Sequence, residues 1–171
     1  MQKQFLRFAR EVAGFTLIEM LIVIVVIVIL SSAILVGLPS IQRGARDSRR
    51  LSDLRQVQNG LELYFSKCGY YPGNAQPGTP CSAFAGSAGD WTALAAALAG
   101  SNIGVNKVPN DPTSGRNYFY AASLNGSSYV IGAQLEDGNN SSLTNGDDAD
   151  NADLKFSTGF SCDDPVYCIQ F

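Results

Sequence analysis

Histidine is absent from the 171 residues, which removes a Ser/His/Asp or Cys/His nucleophilic apparatus and every His-containing zinc site. Charge is scarce too: 16% of residues are charged, and 12 Lys+Arg stand against 15 Asp+Glu, a net charge of -3. A general nucleic-acid binder needs a cationic surplus or a large basic patch, and this composition supplies no surplus. From Ser101 to Phe171 nine acidic residues face only Lys107, Arg116 and Lys155, so direct nucleic-acid binding by that part is not expected. No Gly-rich phosphate loop and no paired-carboxylate motif occur, so no enzyme is expected. The length fits one modest domain with an appendage.

Apolar residues, by contrast, are concentrated. From Phe15 to Leu38, 19 of 24 residues are hydrophobic, Glu19 is the only charge, and Met20 to Leu30 reads MLIVIVVIVIL without interruption. As a helix this stretch spans about 36 Å, enough for a hydrocarbon core of about 30 Å. It exceeds the apolar part of a secretory signal, about 7 to 15 residues, and no A-x-A-like site ends it. After Pro39 the texture becomes amphipathic: seven of the thirteen residues from Arg43 to Arg55 are charged. Ile41, Ala45, Leu51, Leu54, Val57, Leu61 and Tyr64 or Phe65 recur at mostly helical steps, which predicts one helix continuing to about Lys67. Pro39 removes the hydrogen bond to the Leu35 carbonyl and Gly37 weakens the same turn, so a bend or local unwinding is expected between Ser31 and Pro39.

Beyond Cys68, Gly, Pro, Asn and Ser punctuate short apolar runs. Trp91–Leu98 reads as a short helix; Asn117–Ala122 and Ser128–Leu135 read as strands joined through Asn125-Gly126 turn chemistry. Leu154–Phe160 and Val166–Phe171 are further strand candidates. The expected architecture is α+β: a long N-terminal helix packed on a small antiparallel sheet. Residues 1–14 form a leader, 15–38 the apolar half of the helix, 39–67 its amphipathic half and 68–171 a globular head.

The string Gly14-Phe15-Thr16-Leu17-Ile18-Glu19, with Lys3, Arg7 and Arg10 upstream and the apolar run immediately after it, resembles the class III signal peptide of type IV pilins and pseudopilins. The resemblance implies a pilin fold, cleavage between Gly14 and Phe15 by prepilin peptidase, and N-methylation of Phe15. It implies partners as well: further copies of the chain in a filament, minor pilins or pseudopilins, an inner-membrane assembly platform, and the membrane before assembly. Glu19 is then the residue that meets the Phe15 amine of a neighbouring subunit. A carboxylate in a bilayer costs on the order of 2.5 to 3.5 kcal/mol at mid-depth, which such a pairing offsets. The chain departs from the family at two places. Ala13 precedes the glycine where Lys or Arg is common, and Val36 stands where many relatives have proline, with Pro39 three residues later as the hinge.

Shorter blocks extend the likeness towards major pseudopilins of type II secretion: Gly69-Tyr70-Tyr71-Pro72, Trp91-Thr92-Ala93-Leu94, Val108-Pro109-Asn110-Asp111-Pro112 and Tyr118-Phe119-Tyr120. The four cysteines allow three pairings and favour an oxidising compartment. Sequential pairing, Cys68 with Cys81 and Cys162 with Cys168, is the simplest and resembles the C-terminal cystine loop of many pilins. These two likenesses point to a secretion pseudopilus and to a surface pilus respectively, and both stay open. Secretion pseudopilins bind calcium in a loop near the acidic cluster here, which implies Asp137, Asp147, Asp148 and Asp150 as candidate Ca2+ ligands; the other reading is a solvated acidic loop. The spacing is not that of an EF-hand.

Orientation is contested within the sequence. Arg43, Arg46, Arg49, Arg50 and Arg55 follow the span, so a positive-inside count alone would put the head in the cytoplasm. The motif and the cysteines place it outside, the precursor lying in the inner membrane and the mature chain in a periplasmic or extracellular filament. The arginine cluster itself reads either as pairing with acidic groups of adjacent subunits or as a solvated face. A membrane-anchored binding protein that never polymerises is the alternative function.

Overall fold

A computed structural model describes residues 14–73, 81, 90–144, 146–151, 154 and 158–171, apart from the side chains of 33–37. The chain divides into two compact units, Met1–Ser40 and Ile41–Phe171. Helix α1, Leu17–Cys68, runs for 52 residues, and its helical assignment is unbroken through Pro39, without the local unwinding considered above. Val and Ile are mediocre helix formers in water. The start of α1 therefore relies on a cap: Thr16 Oγ1 accepts from Glu19 N at 3.3 Å, while Glu19 Oε2 accepts from Thr16 N at 2.9 Å and Thr16 Oγ1 at 2.7 Å. This reciprocal Thr-x-x-Glu box satisfies the first orphan donors of the helix. The leader up to Ala13 lies outside the described residues.

In the second unit α1 ends at Gly69, whose φ of +78° and N–H bond to the Phe65 carbonyl (2.8 Å) form a left-handed cap. Its core face carries Leu54, Val57, Leu61 and Tyr64, all buried. The predicted stripe is corrected at its ends: Ile41, Ala45 and Phe65 are exposed, and one and two turns before Leu54 the buried positions belong to Arg50 and Asp47 instead. Helix α2, Trp91–Gly100, starts on an Asp90 cap that accepts from Ala93 N at 3.0 Å. It buries Trp91, Leu94, Ala97 and Leu98, and the Lys67 ammonium donates to the carbonyl of Ser101 beyond its last turn at 2.6 Å.

Three strands, β1 (Phe119–Ala122), β2 (Tyr129–Gln134) and β3 (Val166–Gln170), form an antiparallel sheet in the order β1-β2-β3. Phe119 pairs with Gly132, and Ile131 with Ile169. Between β1 and β2, Gly126 has φ +66°, and a Cβ there would stand 2.9 Å from Tyr70 Cβ, so the turn needs glycine on both counts. The strand expected over Leu154–Phe160 does not form at its described residues, 154 and 158–160; residues 155–157 lie outside them. Thr158 Oγ1 donates to the Phe160 carbonyl at 2.6 Å, a local bond that diverts the backbone from a ladder, and the Phe160 ring stacks on Phe119 at 5.1 Å.

All seven tyrosines are buried. Tyr118 donates to Asp53 at 2.8 Å, Tyr71 and Tyr129 both donate to Glu62, and Tyr120 donates to the Pro72 carbonyl. Burial is thereby reconciled with a polar hydroxyl at each of these positions. Both sequential disulfides, Cys68–Cys81 and Cys162–Cys168, are present.

Candidate processing segment and polar sites of the head

Gly14 is exposed, and nothing lies within 4 Å of where its Cβ would be. Phe15 is 77% exposed, and every large hydrophobic residue from Phe15 to Leu30 is exposed with it. No water-soluble monomer is stable with such a surface uncovered, so lipid or protein must cover it. Among the described residues no helix is long and apolar enough to cross a membrane. In the sequence the apolar run continues beyond Ser32 through Ala33-Ile34-Leu35-Val36. Glu19 uses only Oε2 for the cap; its Oε1 has no hydrogen bond among the described residues.

The head holds a charged site that the sequence reading assigned differently. Arg50 is fully buried and grips Asp111 with two nitrogens, Nε to Oδ2 at 2.8 Å and Nη2 to Oδ1 at 2.9 Å. Its Nη1 lies 2.7 Å from Asp47 Oδ1 and 2.9 Å from Glu136 Oε1. Asp47, also fully buried, accepts from the backbone N–H groups of Glu136 (2.9 Å) and Asp137 (3.0 Å). Arg46 forks onto Glu136, and Arg49 lies 3.6 Å from Asp53. Three of the five arginines after the apolar run are thus paired inside their own chain; Arg50 is buried in doing so, while Arg49 stays 62% exposed, on a solvated face. The hydrogen bonds that Arg50 donates to Asp111 lead the causes that raise the Arg50 pKa. Burial would raise Asp111, but the Arg50 guanidinium outweighs it and holds that carboxyl low. Glu136 is pulled down to about 2, chiefly by Arg46. Such buried pairs tie loops to a helix more than they add net stability.

The acidic residues separate into two groups. Asp148 and Asp150 come together with Asp164, which the sequence reading did not include, one carboxylate oxygen from each lying within 4.8 Å of the others. Asp148 Oδ1 accepts from Cys168 N at 2.8 Å, while Oδ2 is buried with no partner. Burial lifts its pKa to about 6, with Asp150 and Asp164 adding repulsion. This donor set fits a hard divalent cation, for which carboxylate oxygens are the usual ligands. Asp137 is engaged elsewhere, its backbone on Asp47 and its Oδ1 accepting from Asn139 N at 3.0 Å, and Asp147 is not in the group. Asp164 escaped notice because it lies inside the cystine loop and reaches the others only through the pairing of β3.

Residues 10–35 match the family described as the prokaryotic N-terminal methylation motif. No curated protein and no solved structure matches the chain.

Proposed function

We propose, for a chain that carries in residues 10–35 the N-terminal methylation motif of type IV pilins and pseudopilins, that it is the precursor of a type IV filament subunit. The observation that carries the reading is the union of this motif with a helix whose first turns expose an unbroken apolar run. The precursor sits in the inner membrane by that run, with the head outside the cytoplasm, where two disulfides are stable. Prepilin peptidase cuts after Gly14, Phe15 is methylated on its new amine, and the helix leaves lipid when other copies rebury its apolar surface. The role is structural rather than catalytic, and Gly37 and Pro39 serve as the hinge during packing.

The test is the N-terminus of the chain in a sheared, high-molecular-weight fraction. Methyl-Phe15 in that fraction supports the reading; an intact leader, or a processed chain found only as membrane-bound monomer, overturns it. Fibre length by electron microscopy then assigns the filament to a surface pilus or to a short secretion pseudopilus.

A further inference from the structure

The three carboxylates that suit a divalent cation come from two segments, and the Cys162–Cys168 bridge lies where the segments meet. Asp148 and Asp150 belong to the loop of residues 147–151, whereas Asp164 stands between the two bridged cysteines. Asp148 Oδ2, buried and without a hydrogen-bond partner, is the atom that a cation would satisfy. Each cysteine is tied to the acidic loop. β3 is an edge strand, and at Cys168 the loop takes its outer backbone groups: Cys168 N donates to Asp148 Oδ1 at 2.8 Å, and its carbonyl accepts from Ala149 N at 3.0 Å. Cys162 N donates to Asn151 Oδ1 at 2.8 Å, and Asn151 Nδ2 donates to Asp163 Oδ2 at 2.7 Å and to Ser161 Oγ at 3.0 Å. Both cysteines are fully buried, in a small core with Val130 and Ala149. Gly132 of β2 leaves room for the bridge, since a Cβ there would stand 2.9 Å from Cys168 Sγ.

Carboxylates whose oxygens lie within 4.8 Å repel one another, so a cystine loop set free would carry Asp164 away from the other two. The closed bridge leaves the residues between the cysteines few conformations and keeps Asp164 in place before any ion arrives. We propose that the Cys162–Cys168 bridge and Asn151 position the carboxylates of a divalent-cation site, so that cation affinity and the resistance of this bridge to reduction are linked. Linkage is reciprocal: the factor by which opening the bridge weakens the cation is the factor by which the cation disfavours opening the bridge. Reduction by dithiothreitol breaks the S–S bond and delivers two electrons and two protons, leaving two thiols while the reagent closes to its own cyclic disulfide. Because both cysteines are buried, thiolate attack requires the cystine loop to open first, and that opening parts Asp164 from Asp148 and Asp150. The Cys68–Cys81 bridge packs against the other core and contributes nothing to the cation site, which makes it an internal control.

The test uses the full chain in detergent, with calcium ions alone as the probe. Calorimetric titration gives the dissociation constant; reduction of each bridge by dithiothreitol is then followed by thiol alkylation and mass mapping, with calcium or with a chelator. At about ten times the dissociation constant, calcium should slow reduction of Cys162–Cys168 about tenfold and leave Cys68–Cys81 nearly unchanged. Asn151→Ala with the bridge intact, and the paired Cys162→Ser and Cys168→Ser variant, should each bind calcium at least about tenfold more weakly. Equal slowing of both bridges, which global stabilisation alone would give, overturns the coupling, as does native affinity in both variants. A native chain that binds no calcium overturns the cation site and the coupling together. Should the serine pair not fold, the two reduction rates of the native chain decide alone. None of these outcomes depends on polymerisation.

Discussion

Arg50 holds Asp111 with two parallel hydrogen bonds of 2.8 and 2.9 Å, joining α1 to the loop before β1 across 61 residues of sequence. With Asp47 and Glu136 on its remaining nitrogen, this one side chain fastens two head loops to one helical turn. Arg50→Met would leave Asp47 and Asp111 as buried anions without their cation. The expected cost is about 3 to 5 kcal/mol, the usual penalty for orphaning a buried charge, read as thermal or urea unfolding of the full chain in detergent. Arg55→Met, at an exposed position of the same helix, should change stability by no more than about 0.5 kcal/mol.

The same pairing sets an acid dependence. The Asp111 and Glu136 carboxyls are held below their ordinary values when folded, Glu136 at about 2. The unfolded chain therefore takes up protons first as pH falls. Their contribution is fully present above the unfolded carboxylate range near 4, and is lost progressively from there down through about 2. Melting temperature should fall over that interval in the native chain. Replacing both residues by their amides should flatten the curve, and an unchanged acid limb would contradict the assignment.

Glu19→Ala should leave membrane insertion unaffected or slightly improved, since removing a carboxylate from an apolar segment relieves an insertion penalty. Fibre yield should nevertheless collapse. Fractionation of membranes against sheared fibres separates the two effects, and normal fibre numbers in the variant would refute the assembly role.

Calcium should raise the melting temperature of the head through Asp148, Asp150 and Asp164. At a free concentration one hundred times the dissociation constant the gain is about 2.7 kcal/mol. Asp150→Ala and Asp164→Ala should each abolish the shift, whereas Asp137→Ala should keep it, because Asp137 stands outside the cluster. No shift at millimolar calcium, or a shift lost only with Asp137→Ala, would remove the cation from this site.

Helix α1, the short helix at Trp91, the β1-β2 hairpin and the last strand were legible because each follows from periodicity and turn chemistry within a few residues. The Gly14 to Glu19 string was legible only as a resemblance to a known signal, and the sequential cystines as the simplest pairing, with the same family likeness behind it. The Arg50 site was not. Asp47 and Arg50 lie on the same helical stripe as Leu54, Val57, Leu61 and Tyr64, but a reading by hydrophobicity stops the stripe where charge begins. Following the 3-4 spacing regardless of polarity would have carried it to both residues, though not to Asp111 and Glu136, whose approach depends on how distant loops fold back. At residues 154 and 158–160 the expected strand is absent for the opposite reason: apolar residues suggested a strand, while Thr158 offers the backbone a competing local bond.

The cap at Thr16 and Glu19 bears on what cleavage does to the helix. Cutting after Gly14 replaces a neutral peptide group by an ammonium two residues before the first helical residue, at the positive pole of the aligned peptide dipoles. There a cation is disfavoured by roughly 0.3 to 1 kcal/mol in water and by more in an apolar setting. Glu19 already sits at that pole, stabilising the helix end with one oxygen and leaving the other open. Processing thus creates a charge that the helix field repels and that one oxygen, held in place beforehand, is free to accept. On the proposed filament reading, that open oxygen is where the amine of a second copy would bind.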